Sequence, residues 1–418
     1  MKSFTKKLKI IWWRIKSYVA MYYYGNPSKK LKIVGVTGTN GKTTTVTLLY
    51  QIATALGYKA GLIGTVENII VKEKRLATHT TPDSISLTKL FAEMLEKGCE
   101  YIFMEVSSHA LDQGRVAGVH FTGGIFTNLT HDHLDYHKSF KNYFLAKKKF
   151  FEMLPKEAFA LSNTDDEHGI SMLEDISARK FFYSFRPSGV GHPTVLDFKG
   201  EIKKLDFNGL ELEFNNEKVE SKLLGKFNAY NLLSVWSACS LLGFDMEKVK
   251  EIFKNIEPPT GRFEHFVSPS GVLVIVDYAH TPDALEKVLL AILEFKSQYS
   301  KLISVFGCGG DRDPLKRRIM GKIGAMHSDI AIFTSDNPRN ENPESIIEEM
   351  KTDLSLELSE KVKSILDRRE AIIEAVKIAE KGDIILCAGK GHEMYQEIKG
   401  VKHHFNDIEE FQKVFKTM

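Results

Sequence analysis

The residues best suited to chemistry are Gly38-Thr39-Asn40-Gly41-Lys42-Thr43-Thr44: two glycines, a lysine, then hydroxyl side chains. A β-branched run, Lys32–Val36, precedes them, and a helix-like stretch, Thr43–Leu56, follows. Glycines let backbone N–H groups approach oxyanions, a helix N-terminus faces them, and the lysine ammonium adds a point charge. A hydroxyl directly after the lysine can ligate Mg2+. The order predicts a nucleotide-phosphate site. Its spacing departs from the common phosphate loop GxxxxGK[ST], because Val36 stands where the first glycine belongs and Gly35 comes one residue early.

More candidates fall at the C-terminal ends of predicted strands, where open α/β sheets place their ligands. Met104-Glu105-Val106-Ser107-Ser108-His109 ends one strand, and Thr127-Asn128-Leu129-Thr130-His131-Asp132-His133-Leu134-Asp135-Tyr136-His137 follows another. Glu105 with Thr43 is a sensible oxygen pair for Mg2+. The histidines alone would suggest zinc or manganese, and His131 and His137 also suit the role of hydrogen-bond partners for neighbouring loops. Later in the chain, Gly261-Arg262-Phe263-Glu264, Asp277-Tyr278-Ala279-His280, Gly307-Cys308-Gly309-Gly310-Asp311-Arg312 and Asp336-Asn337-Pro338-Arg339 occupy strand starts or ends. Without a GK[ST] signature, the Gly307 segment reads as a substrate-binding turn rather than a second phosphate loop.

The elements that must position these groups alternate between strand and helix. Lys32–Val36, Ala60–Thr65, Tyr101–Val106 and Gly123–Asn128 read as strands, and Thr43–Leu56 and Ser84–Lys97 as helices. This predicts a mainly parallel sheet with crossover helices. Between roughly 179 and 224 the pattern shortens around an Asn208-Gly209 hairpin turn, predicting a small antiparallel subsheet. The helices Asn228–Leu242 and Met246–Asn255 close this half, with Asn228 as a cap. After the Pro258-Pro259-Thr260-Gly261 linker, a second doubly wound, Rossmann-like α/β series is expected. Division into residues 1–30, 31–258 and 259–418 follows.

GTNGKTT, HTTPDS, MEVSSHALDQGR and TNLTHDHLDYH occur in an order and approximate spacing that resembles the Mur ligase family, in its branch acting on UDP-N-acetylmuramoyl dipeptide. The resemblance runs from about residue 31 to the end of the chain. It implies an ATP-dependent amide ligase with a central ATP-binding domain and a C-terminal Rossmann-like domain. ATP would be held by Gly38, Thr39, Asn40, Gly41, Lys42, Thr43, Thr44, Asn228, Asn231, Arg262 and Asp277. Two Mg2+ ions would sit at Thr43 and at Glu105, His133 and Lys147. Lys147, in Tyr143-Phe144-Leu145-Ala146-Lys147, matches a lysine that is carbamylated in the family, with Lys148 and Lys149 adjoining it. Without the resemblance it would read as the solvated face of a basic helix. Lys42, Lys147, Arg262 and His280 would be the catalytic set. Thr80, Thr81, Ser107, Gln113 and Arg115 would contact the acceptor substrate, Arg115 being a natural diphosphate partner. Arg312, Asp336, Asn337, Pro338, Arg339, Gly389 and Glu393 would read the amino acid that is added, which DNPR marks as meso-diaminopimelate. That substrate carries a second amino acid head group, whose carboxylate an arginine clamps bidentately and whose ammonium acidic or carbonyl groups accept. A lysine substrate would present an ammonium to that arginine and be repelled. The alternative for DNPR is a plain β-turn.

The expected partners are therefore small molecules: a nucleotide-linked muramoyl peptide and a diamino acid. Relatives in the family carry an N-terminal uridine-binding domain of roughly a hundred residues, and about 30 residues precede the phosphate loop here, too few for such a fold. This keeps other acceptors in view, namely another acidic peptide or a polyglutamate, and also an ATP-binding scaffold without turnover. Residues 1–32 hold nine Lys/Arg and no acid, leaving 48 basic against 54 acidic residues elsewhere. The body is thus not expected to bind nucleic acid. Leu8, Ile11, Trp12, Ile15, Val19 and Tyr22 fall on one helical face, so residues 1–24 either pack that face on the body or lay it on an anionic membrane surface. Four scattered cysteines with no CxxC indicate neither a zinc site nor disulfides, pointing to a reducing, cytoplasmic setting.

Overall fold

The computed structural model describes residues 2–130, 132–186 and 196–417, and it divides into two compact units. The first comprises residues 1–204, 209–223 and 227–257; the second comprises 258–418 with two short segments, 205–208 and 224–226. The N-terminal helix, Lys2–Tyr23, therefore belongs to the first unit, and the expected boundary at 258 misses two excursions.

Among the described residues, one sheet of eleven strands runs through the first unit. In chain order these are β1 (Lys32–Thr37), β2 (Ala60–Ile63), β3 (Glu67–Ile70), β4 (Glu73–Leu76), β5 (Tyr101–Glu105) and β6 (Gly123–Phe126). They continue with β7 (Phe159–Asn163), β8 (Arg179–Ser184), β9 (Phe198–Asp206), β10 (Gly209–Phe214) and β11 (Glu217–Ser221). The spatial order is β11-β10-β9-β8-β7-β6-β1-β5-β2-β3-β4. β1 lies parallel between β5 and β6, pairing Val36 with Glu105 and Thr37 with Phe126, so three strand ends converge on the phosphate loop. These central strands are buried along their whole length, as parallel strands covered on both faces must be. The 179–224 region carries the expected antiparallel pairing, β10 against β11, and it is joined to the main sheet through β8, which pairs in parallel with β7 and β9. Residues 67–76 add an antiparallel hairpin at the other edge, whose outer strand β4 is charged and exposed.

The second unit is built on β12 (Glu264–Val267), β13 (Leu273–Asp277), β14 (Leu302–Phe306), β15 (Ile330–Phe333), β16 (Val362–Ser364) and β17 (Ile384–Ala388), ordered β12-β13-β17-β14-β15-β16. Only β12 is antiparallel. Side chains alternate across this sheet with period two. Leu273, Ile275, Leu302, Phe306, Phe333, Ile384 and Leu386 join one core, while Val274, Val276, Ile303, Val305, Ile332 and Ile385 join the other. Helices Pro282–Leu293 and Pro343–Lys351 bury Leu289, Ile292, Ile346 and Met350 in the first core; Arg368–Ile378 and Asp407–Thr417 bury Ile372, Ala375, Phe411 and Val414 in the second. A hairpin, β18 (Tyr395–Ile398) with β19 (Val401–His404), stands apart from the sheet.

Candidate active site

The loop after β1 is fixed by what surrounds its glycines. A Cβ at Gly38 would stand 1.9 Å from the Thr127 hydroxyl, and at Gly41, with φ of +84°, 2.5 Å from Asn231 Oδ1. The loop thus closes on residues from two other elements, and side chains larger than glycine do not fit. Thr127 Oγ1 donates to the Asn40 carbonyl at 2.7 Å, and Asn128 Oδ1 accepts the Asn40 N–H at 2.9 Å. The early glycine has a different job. A Cβ at Gly35, inside β1, would meet Phe150 Cζ at 2.5 Å, so this glycine admits the helix Phe140–Glu152 against the sheet.

Lys42 begins the helix Lys42–Ala55, and its ammonium donates to the carbonyls of Gly38 (2.9 Å) and Thr39 (2.8 Å). It therefore curls over the loop where a phosphate chain would lie. Thr43 donates to Glu105 Oε1 at 3.0 Å. Two neighbouring oxygens bound to an octahedral ion at about 2.1 Å stand about 3 Å apart, so this pair fits a single hard cation such as Mg2+. Glu105 is almost wholly buried, and its carboxylate also accepts Thr65 N (2.8 Å) and Thr65 Oγ1 (3.1 Å). Thr65 was not singled out from sequence; it lies just beyond β2 and carries no motif.

Lys147 is buried, not solvated: it is 1% exposed, whereas Lys148 and Lys149 are half-buried. Its amine donates to the Gly38 carbonyl at 2.7 Å and lies 4.6 Å from the centre of the Tyr143 ring, one turn back on the same helix. Burial and the nearby Lys42 cation hold its pKa well below the ordinary lysine value. Tyr143 in turn shares a 3.1 Å hydrogen bond with Thr39, a long-range contact that sequence reasoning missed. His133 reaches this cluster through Tyr143, their ring centroids 6.2 Å apart, and faces His109 at 4.9 Å. His131 lies outside the described residues. Among those described, no three His, Cys, Asp or Glu side chains form a metal cage.

The segment carrying Asn228 and Asn231 also differs from expectation. The helix starts at Lys226, so Asn228 lies within its first turn rather than at its cap. Asn231 donates to Asn228 Oδ1 at 3.0 Å and abuts Gly41.

Beyond β5, Thr81 accepts Ser107 N at 3.1 Å and donates to the Glu105 carbonyl at 2.8 Å. Arg115 donates to the Thr81 carbonyl (2.7 Å) and to Gln113 Oε1 (2.9 Å), and Thr80 bonds Thr65 at 3.0 Å. Thr80, Thr81, Ser107, Gln113 and Arg115 thus form one patch bordering Glu105. His137 is buried with Nε2 3.0 Å from Ser108 Oγ, and burial, reinforced by His109, pushes its pKa down to about 4. The folded state excludes a proton that the unfolded chain takes up near pH 6.5. Stability present above that value should therefore fall as acid approaches about pH 4, by about 2 kcal/mol between about pH 7 and about pH 5. Urea unfolding at the two pH values checks this; the drop should shrink in His137→Gln, and an equal drop in both proteins would refute the assignment.

In the second unit, Asp277 at the end of β13 is buried and accepts Phe263 N and Ala279 N, each at 2.8 Å. Burial raises its pKa, opposed by the Arg262 guanidinium. Arg262 lies over Tyr278, 5.1 Å from its ring centre, and its buried Nε has no hydrogen-bond partner. Tyr278 also packs on His280 (4.5 Å) and His392 (4.7 Å). His280 is exposed, with Nδ1 2.8 Å from the Tyr278 carbonyl.

The DNPR turn after β15 sits on the glycine turn after β14. A Cβ at Gly310 would meet the Pro338 carbonyl at 2.0 Å, and Arg339 Nη1 donates to the Gly310 carbonyl at 2.7 Å. Arg339 has φ of 50° and pairs with Glu397 of the hairpin at 3.4 Å. Arg312, exposed, flanks Gly309 together with Arg339. Asp336 is buried; its Oδ2 has no partner and lies where a Cβ on Gly389 would come within 2.7 Å. Asn337 donates to Glu393 Oε2 at 2.8 Å, and the fully buried Lys390 donates to both at 3.2 Å. Arg312, Asp336, Asn337, Pro338, Arg339, Gly389 and Glu393 therefore gather at one sheet rim. Lys390, which fixes two of them, lies between Gly389 and Glu393 in the chain and was not singled out from sequence.

Comparison with known proteins places this geometry. Residues 36–239 match the Mur ligase middle domain, and residues 261–391 match the Mur ligase, glutamate ligase domain. The UDP-N-acetylmuramoyl-L-alanyl-D-glutamate--2,6-diaminopimelate ligases of Cytophaga hutchinsonii and Bacteroides fragilis are both 52% identical to the chain. The first match covers 93% of this chain and 78% of its relative, the second 95% and 80%. A solved structure of a ligase of that name superposes with a TM-score of 0.71 at 32% identity, covering 97% of this chain and 83% of the other. Folylpolyglutamate synthase from Thermotoga maritima shares the fold at TM-score 0.69 and 16% identity, covering 90% of each chain. With both domain models matched and half the residues identical along more than nine-tenths of its length, the chain belongs to the Mur ligase family.

Proposed function

We propose that the chain is an ATP-dependent ligase that adds meso-diaminopimelate to the D-glutamate carboxylate of a UDP-N-acetylmuramoyl dipeptide. The observation that carries the reading is the DNPR turn locked onto the Gly309-Gly310 turn, with Arg339 and Arg312 beside a buried, half-unpaired Asp336. Cationic forks and a carboxylate at one rim suit an amino acid head group, with its carboxylate on the arginines and its ammonium on Asp336. In this reading the acceptor carboxylate attacks the γ-phosphate of ATP, giving an acyl phosphate and ADP, and the incoming amine then displaces phosphate. Lys42 and the phosphate-loop N–H groups hold the phosphates in line, and the buried surroundings of Glu105 strengthen each charge contact. Mg2+, bound by Thr43 and Glu105, would neutralise charge developing on the transferred group. Lys147 as a carbamate, with His133, would complete a second cation site. Arg115 with Gln113 and Thr81 would hold the acceptor. Arg262, with its unpaired Nε, and Asp277 are assigned to ATP, and His280 to the catalytic set, by resemblance to the family.

Phosphate release from ATP, measured with the UDP-muramoyl dipeptide and either meso-diaminopimelate or lysine, tests the proposal. Release is expected only with both substrates present and strongly in favour of meso-diaminopimelate. Equal or better use of lysine would defeat the reading of Arg339, and tight ATP binding without release would favour a scaffold.

A further inference from the structure

The N-terminal helix gives its body-facing side to small residues and leaves its aromatic side outside. Ser17, Ala20 and Met21 are buried, with Ser17 Oγ donating to the Ala117 carbonyl at 2.6 Å. Of the two alternatives for the apolar face, packing on the body is not the one observed: Trp12 (56%), Ile15 (47%), Val19 (61%) and Tyr22 (82%) recur at helical spacing and are exposed, flanked by Tyr18 and Tyr23. A contiguous apolar stripe of this kind marks an interaction surface. Its chemistry narrows the partner. Tyrosine and tryptophan carry an apolar ring and a polar edge, which suits the boundary between headgroups and acyl chains. Lys16 stands beside Trp12, 5.4 Å from the ring centre, and residues 1–32 carry nine cations and no acid. No helix among the described residues is long and apolar enough to cross a bilayer, so the helix would lie along it.

We infer that the exposed face of this helix docks the protein on an anionic lipid surface. Trp12, Ile15, Val19 and Tyr22 enter the interface, and the lysines engage the headgroups. Each cation near such a surface strengthens adhesion about fivefold, and salt weakens it. The docking is independent of the ligase reading, since it uses none of the residues assigned to substrates.

Co-sedimentation of the full chain with phosphatidylcholine vesicles, with and without phosphatidylglycerol, tests this. Binding is expected to the anionic vesicles only, and to weaken about tenfold or more in high salt. Val19→Glu with Tyr22→Glu, both at exposed positions, should also weaken it about tenfold or more while phosphate release in solution stays unchanged. Equal binding to neutral vesicles, or a double variant that binds as tightly as the parent, overturns the inference. So does a concentration-dependent dimer that the double variant dissolves while neither protein binds vesicles.

Discussion

Lys147→Ala is expected to lower turnover on the order of a thousandfold, the size of effect seen when one charge-stabilising group is removed from a reacting centre. The amine is buried, bonded to the Gly38 carbonyl and close enough to Lys42 to be depressed by its charge. Two lysine cations side by side in a dry pocket repel. A neutral amine is the form that combines with dissolved CO2, and the carbamate so formed turns the repulsion from Lys42 into attraction. Small molecules discriminate the roles. Formate or acetate should restore part of the activity of Lys147→Ala if a carbamate acts at this position. Rescue by ethylamine, with none by acetate, would mean that the ammonium itself does the work. A carbamate resonance in the parent protein after exposure to carbon-13 bicarbonate, absent in Lys147→Ala, would be the direct observation.

Arg339→Ala should cost about a hundredfold in kcat/KM for meso-diaminopimelate, near 3 kcal/mol, because a bidentate charge pair is lost and the substrate carboxylate is left unpaired. The KM for ATP should stay within about twofold, since Arg339 is not among the residues assigned to ATP. Arg339→Lys should recover little of the loss, because an ammonium cannot reproduce the planar fork. Unchanged kinetics in Arg339→Ala would show that the turn merely shapes the loop. Its hydrogen bond to Gly310 and its pairing with Glu397 would then be its whole purpose.

The central strands and the helix after the phosphate loop were legible because their hydrophobic runs and glycine punctuation are local signals. Strand ends could be placed for the same reason, and with them Glu105, Asp277 and Asp336. The charged strand β4 and the antiparallel start at β12 were not, because edge strands are held by pairing rather than by burial of their own side chains. Which face the N-terminal helix turns to the body was left open on similar grounds. Helical period locates an apolar stripe, but what packs depends on how closely two backbones approach, and here Ser17 and Ala20 permit contact where Trp12 and Tyr22 would not. Within the site, motif residues were visible, whereas Thr65, Tyr143 and Lys390 act through long-range hydrogen bonds that no spacing encodes.

Gly35 began as a glycine out of place, and the space it leaves is filled by Phe150. Phe150 lies three residues after Lys147 on the same helix, and Lys147 grips the carbonyl of Gly38, three residues after Gly35. Strand, loop and helix thus close a small mechanical ring whose diameter is set by one absent methyl group. Adding that group would lift the helix and draw Lys147 away from the loop, so the phosphate-binding turn and its lysine are calibrated against each other from beneath the sheet.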